Sequence, residues 1–266
     1  MRSRAAVLVL AVGSVVFLGL PVAALLARAL GSSVLADALG NQAVRDALAL
    51  SLVTTAMTVV LTLTFGTPLA YLLARRRFRG ASLVETAIDL PIVLPPSVAG
   101  LALLLVLGRQ GVLGGTLDAL GIQVAFTTVA VVLAQTFVAA PFYVRSARAG
   151  FAAVDRDLED AARVDGAGEG SIVRFVTIPL AGSALAAGIV MSWARALGEF
   201  GATIMFAGSL QGRTQTLPLV VYAEFGGGDL DGSVAAAAIL VLAAIGVLVA
   251  VRGLHWGRAL DVRAGT

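Results

Sequence analysis

The sequence contains no cysteine, so neither a disulfide framework nor a thiolate metal site is available to it. It contains no lysine either: all 19 basic residues are arginine. That excludes a Walker A loop, whose lysine reaches the nucleotide phosphates, so if ATP powers this protein another chain binds it. Histidine occurs once, at His255. Charge is scarce, at 13% of residues, where an ordinary soluble domain carries ~25%. What is abundant is apolar surface: 59% of the 266 residues are hydrophobic, with a mean hydropathy of +0.96. A soluble fold of this length cannot hide that much, so lipid is the solvent for most of the chain. The length suits one membrane domain without a second large soluble one. The net charge of +3 and pI of about 10.1 raise nucleic acid as a partner. In so apolar a chain the arginines are read instead as setting membrane topology.

A transmembrane helix needs ~20 predominantly apolar residues. Six stretches qualify: 5–27, 47–74, 84–107, 125–144, 181–207 and 234–251. The first follows Arg2 and Arg4 and so resembles a signal peptide. Its apolar run exceeds the ~7–15 residues of a signal core, and a retained helix is expected. With the N-terminus in the cytoplasm and alternating sides, fourteen arginines fall inside and four outside, with Arg195 within a span. The inside set is Arg2 and Arg4; Arg75, Arg76, Arg77 and Arg79; Arg145, Arg148, Arg156, Arg163 and Arg174; and Arg252, Arg258 and Arg263. Arg28, Arg45, Arg109 and Arg213 lie outside. This asymmetry obeys the positive-inside rule for six helices with both termini cytoplasmic, and five or seven would break it. The expected fold class is an all-α, polytopic membrane protein. Its expected division is an N-terminal helix with an external loop (1–46), a transmembrane core (47–252) holding a cytoplasmic loop (148–180), and a cytoplasmic tail (253–266).

The third span carries Pro91, Pro95 and Pro96. Proline removes backbone hydrogen bonds, and broken backbone at membrane depth survives only inside protein or beside a water-filled cavity. Pro95 and Pro96 are therefore candidates to line a pore or gate, against the simpler reading of a structural kink. Between the last two spans, residues 216–222 are apolar but too short to cross, and read as an interfacial or re-entrant helix. The glycines that follow, Gly226, Gly227 and Gly228, read as a loop.

The most polar stretch runs over 155–179. Acidic residues open it, alanines follow, and glycines stand at 166, 168 and 170. Acids complement a helix N-terminus and glycine ends a helix. This predicts a short helix ending near Gly166, a turn, and a second helix from about Ser171 towards Pro179. Composition alone also allows a solvated linker. The order of residues resembles the coupling motif of binding-protein-dependent, ATP-driven importers: Glu-Ala-Ala, three residues, Gly, nine residues, Ile, one residue, Leu-Pro. Here Asp160-Ala161-Ala162 is followed at the same spacing by Gly166, Val176 and Ile178-Pro179. Asp160, Val176 and Ile178 depart conservatively from the pattern. The resemblance implies the type I (MetI-like) permease fold of ABC importers. It also implies that Glu159, Asp160, Ala161, Ala162, Gly166 and Pro179 couple the chain to an ATPase. A pore subunit without a nucleotide site must receive work mechanically, and a short rigid helix seated in a partner's groove would deliver it.

The fifth span contains Arg195 and Glu199, four residues apart and so on one helix face. At ~1.5 Å per residue Arg195 lies ~20–25 Å beyond Pro179, past the middle of the bilayer. Charges there usually face the bundle or an aqueous path, so the pair is read either as pore or gate machinery or as a self-neutralising structural pair. Phe200, Gly201 and Thr203 join it as pore or gate candidates. The run from Leu197 to Thr203, followed by Arg213-Thr214-Gln215-Thr216-Leu217-Pro218 and Tyr222, looks like the permease subunits for molybdate and tungstate. Sulfate permeases share much of Gly198-Glu199-Phe200-Gly201-Ala202. The similarity spans roughly 48–251. It implies a second copy of the chain, two cytoplasmic ATPase subunits, an external binding protein and a place in the inner membrane. It implies no cofactor on this chain, with ATP on the partner, and no nucleic acid.

Other classes fit less well. An intramembrane enzyme needs a nucleophile–base pair or a metal cluster. With no cysteine and no paired intramembrane aspartates, His255 beside Trp256 reads as an interfacial anchor. A self-contained channel would not need the pattern from Asp160 to Pro179. Among importers, sulfate or thiosulfate is the runner-up substrate.

Overall fold

The computed structural model describes residues 2–31, 33–76 and 78–264. Arg77, and the side chains of Arg2, Arg4, Arg252, His255, Trp256, Arg258 and Arg263, lie outside the described set. Among the described residues every regular element is helical. In chain order these are α1 (Arg2–Leu30), α2 (Val34–Gly40), α3 (Gln42–Arg75), α4 (Ala81–Val93), α5 (Pro96–Leu107), α6 (Gly114–Ala119) and α7 (Thr128–Ala153). Then come α8 (Arg156–Val164), α9 (Glu169–Ile172), a π-helical turn (Val173–Thr177), α10 (Ile178–Leu180), α11 (Gly182–Leu197), α12 (Gly201–Phe206), α13 (Leu217–Gly226) and α14 (Leu230–Ala264). Helices are the expected answer, because a backbone in lipid must satisfy its own polar groups.

Four of these helices are long and apolar enough to cross a membrane unaided, and six spans result if each of two bent pairs counts as one. The bent pairs are where the sequence expectation needs correcting. The third span is no single rod: α4 and α5 meet at 119°. Leu94 and Pro95 are extended, and Pro96 opens α5 at a position where its missing N–H has no helical partner to lose. The fifth span is broken twice. A bend of 75° at Ala181 separates α10 from α11, and α11 stops at Leu197 instead of running on to 207. Gly198 caps that end, and Phe200 (φ −127°, ψ −53°) carries the chain into α12. The fourth helix starts later and ends later than expected, at Thr128 and Ala153, with the Thr127 hydroxyl accepting from the Ala130 N–H at 3.3 Å. The apolar segment after residue 216 is a helix of ten residues, α13.

By contacts the chain forms two compact units, residues 1–48 with 216–266, and residues 49–215. In the first, α14 packs against α13, α2 and α1. Val44, Ala47, Leu217, Val220, Ala236 and Ile239 form its core. An Arg28–Asp231 ion pair at 2.8 Å ties α1 to α14.

In the second unit α7 is the central helix, with α4, α5, α11 and α12 against it. The contacts are close because the residues are small. A Cβ on Gly150 would stand 2.5 Å from the Ala184 Cβ, and one on Gly188 2.9 Å from the Ser146 Cβ. Small residues let membrane helices approach, and hydroxyls then bind them across the seam. Ser146 Oγ donates to the Ala184 carbonyl at 2.7 Å, Thr58 Oγ1 to Gln135 Oε1 at 3.1 Å, and the Thr67 and Tyr143 hydroxyls lie 2.6 Å apart.

Candidate functional site

The first helix of the polar segment folds as the sequence predicts, whereas the second starts at Glu169 instead of about Ser171 and passes through the π-helical turn before Pro179. Asp155 leaves α7 in extended conformation and its Oδ1 accepts from the Asp157 N–H at 3.0 Å, capping α8. At the other end Gly166 has φ +88°, the left-handed conformation that favours glycine. The bonds from Ala167 N–H to Ala162 O (3.0 Å) and Gly166 N–H to Arg163 O (3.1 Å) close the helix end in the manner of a Schellman motif. Nothing lies within 4 Å of where a Gly166 Cβ would be, so the requirement is one of backbone alone.

The helix has two very different faces. Leu158 is 50% exposed and Val164 87%, with Asp160 and Ala161 exposed between them and Ala162 half-buried. Asp160 pairs with Arg163, which also reaches Glu169 at 2.9 Å. The Glu169 hydrogen bond is the main cause that pushes the Arg163 guanidinium above its ordinary value, with Asp160 adding to it, so its charge is fixed. Pro179, in α10, is exposed. Glu159 is the exception, at 6% exposed. Its Oε1 accepts from Arg75 Nη2 at 2.7 Å and from the Thr177 hydroxyl at 2.6 Å.

The second constellation sits at the break after α11. Counted from Gly182, where the straight segment begins, Arg195 lies about 20 Å along it. Arg195 Nη1 stands 2.6 Å from Glu199 Oε2, so the pair forms, but it bridges the helix end instead of lying on one continuous helix. Glu199 is 1% exposed, and its other oxygen accepts from the Ala202 N–H at 2.7 Å, capping α12. One carboxylate thus holds both sides of the break. Gly201 is required by packing: a Cβ there would stand 2.7 Å from the Pro96 Cβ. Gly100 makes the next contact of the same crossing, with 2.5 Å to the Ala202 carbonyl oxygen.

The structure therefore brings Pro96, Arg195, Glu199 and Gly201 together, with Pro95 at the bend leading into them. Phe200 is half-buried at the break. Thr203 is fully buried, and its hydroxyl has no hydrogen-bond partner among the described residues. Sequence reasoning missed Arg75 and Thr177, the partners of Glu159. Arg75 counted only towards topology, and Thr177 only as spacer between Val176 and Ile178. The signal available was that Arg75 is the first of the basic run closing the second span.

Apolar helices long enough to span, two of the candidate spans broken, packed around a central helix, are the features of an integral membrane protein. The family described as "Binding-protein-dependent transport system inner membrane component" matches residues 66–255, and the chain belongs to that family. It is a transport permease subunit, not an enzyme. A molybdenum transport system permease protein of Mycobacterium tuberculosis is 45% identical over 192 residues, 72% of each chain. Its counterpart in Escherichia coli K12 is 42% identical over 164 residues, 61% of this chain and 72% of that one. The fold is the expected type I importer permease. A chain in the crystal structure of a bacterial ABC transporter involved in the import of the acidic polysaccharide alginate superposes with a TM-score of 0.75 at 16% identity, covering 94% of this chain and 93% of that one.

Proposed function

We propose that this chain is the translocation subunit of an inner-membrane importer for molybdate or tungstate. Two copies would form the pore, with both termini cytoplasmic, two ATPase subunits beneath them and an external binding protein that delivers the anion. ATP is bound by the partner subunits, and no cofactor is needed on this chain. The observation that carries the reading is the 45% identity, over 192 residues, to a relative named for molybdenum transport. That stretch is long enough to include a coupling segment or the intramembrane pair, and the run from Leu197 to Thr203 points to the same oxyanions.

The geometry supplies a mechanism. The exposed face of α8, with Leu158, Asp160, Ala161 and Val164, seats in a groove of the ATPase. Gly166 sets the turn, and Pro179 stiffens the path into α11. Closure of the ATPases moves the spans as bodies, which is alternating access by rocking. The Pro96–Gly201 contact and the Arg195–Glu199 pair lie where a bent span and a broken span cross, the kind of backbone that membranes tolerate only in an interior. They are the gate candidates. The test is elemental uptake in cells with and without the gene, at trace molybdate, tungstate and labelled sulfate. Loss of molybdenum or tungsten uptake with sulfate intact is expected. Loss of sulfate uptake alone would discard the substrate while keeping the architecture.

A further inference from the structure

Four elements meet at one buried arginine–glutamate pair. Arg75, in the last turn of α3, donates through Nη2 both to Glu159 Oε1 at 2.7 Å and to the Val154 carbonyl at 3.1 Å. Val154 is the C-cap of α7. Glu159 belongs to α8, and the same Oε1 takes the hydroxyl of Thr177, the last residue of the π-helical turn before α10. The side chains of Arg75 and Glu159 are each 8% exposed, and Thr177 is fully buried. Arg75 Nε is also buried and has no hydrogen-bond partner among the described residues.

Glu159 therefore points away from the face of α8 that Leu158, Ala161 and Val164 present to solvent. A side chain so placed does not touch a partner docked on that face. We infer that Glu159 is a positioning residue: a strut that ties the coupling helix to the ends of α3 and α7 and, through Thr177, to the entry of α11. The physical argument is one of stiffness. A nine-residue helix joined to its spans by flexible turns would tilt in its socket and dissipate the movement of the ATPase. A charge-assisted pair out of water, with two donors fixed on one carboxylate oxygen and the arginine held in turn by the Val154 carbonyl, removes that freedom. It also sends the same displacement to three helices at once, which rigid-body rocking requires. The π-turn fits the role. Its wider winding belongs to the Val173–Thr177 segment that delivers Thr177 to Glu159, and π-turns mark functional sites more often than random positions.

The inference rests on the coupling reading of α8, and the two are separated by different measurements. The complete transporter, with ATPase and binding protein, is reconstituted in liposomes. Molybdate uptake and ATP hydrolysis are then read on the same sample. Glu159→Gln is expected to assemble with the ATPase and to hydrolyse ATP, while the ATP used per ion transported rises by about tenfold. Because Glu159 acts through Arg75, the double variant Glu159→Gln with Arg75→Gln should be no worse than the worse single change, whereas independent roles would multiply. A wild-type ratio in Glu159→Gln, or multiplicative losses in the double variant, overturns the strut. Thr177→Val removes only the arm towards α11 and serves if the charge variants fail to fold: a raised ratio supports the strut, an unchanged one overturns it. Leu158→Glu, on the outer face, tests docking itself. If the ATPase still co-purifies with that variant, the coupling reading fails, whatever Glu159 does.

Discussion

Glu199 shows how a carboxylate is held at the break that follows an apolar span. Its neighbour Arg195 neutralises one oxygen and the Ala202 amide takes the other, while the side chain is almost fully out of contact with solvent. Arg195 is less enclosed, with 28% of its side chain exposed. The two partners are therefore not equivalent. Arg195→Ala strands a buried carboxylate, and breaking a buried pair in that way costs about 3–5 kcal/mol. Glu199→Gln keeps an acceptor for the Ala202 amide and leaves an arginine that can still reach the surface, a loss of about 1 kcal/mol. Thermal unfolding of the purified transporter in detergent should thus rank Arg195→Ala well below Glu199→Gln. Equal shifts, or the reverse order, would mean that the pair is not held as the distances indicate. If the pair also forms part of the gate, Glu199→Gln should raise ion leak without ATP while the fold survives.

The crossing of α5 and α12 makes a second kind of demand, met by the absence of a side chain. A Cβ at Gly100 would stand 2.5 Å from the Ala202 carbonyl oxygen and 2.8 Å from its Cα, both backbone atoms that cannot turn aside. Gly100→Ala should destabilise the protein by about 1–3 kcal/mol through overpacking. Gly246, within α14, has nothing within 4 Å of its Cβ position, and Gly246→Ala should leave the unfolding midpoint unchanged or slightly raised. If Gly100→Ala were as harmless as Gly246→Ala, the two helices would not approach as closely as described. The same crossing marks the limit of what a linear reading recovers. Apolar length alone locates α1, α3, α7 and α14, because ~20 lipid-facing residues have no alternative to helix. Acid, alanine and glycine in order locate α8 and its stop at Gly166, because caps are local chemistry. The breaks are different. Gly198 and Gly201 are tolerated inside many membrane helices, so nothing nearby announces that α11 ends at Leu197. What ends it is the Glu199 carboxylate capping α12 and Pro96 filling the space above Gly201, a contact between residues 105 positions apart. Glu159 is a coupling candidate on the sequence, but its burial and its partners are hidden for the same reason. Among five acids in 155–165 it looks like any other, and only Arg75, 84 positions earlier, distinguishes it.

On the proposed reading of α8 as the coupling helix, one chain offers one such helix among its described residues, and that bears on the assembly. A transporter driven by two ATPase subunits needs two such helices, or one ATPase closes against nothing. The permease is therefore expected to work as a pair of 27.0 kDa chains. The absence of cysteine makes this directly testable, since an introduced thiol is the only one on the chain. Val164→Cys places it on the exposed face of α8, where 87% of the residue is open to solvent. A thiol-anchored photo-cross-linker, which needs no particular residue on the partner, should then join the permease to the ATPase, because a docked helix brings its outer face against it. Native mass measurement of the cross-linked complex should find two permease–ATPase adducts in one particle. A particle with two ATPase subunits and a single permease would overturn the pairing. Cross-links that form as readily when cysteine replaces the buried Glu159 as at Val164 would mean that the helix docks by a different face.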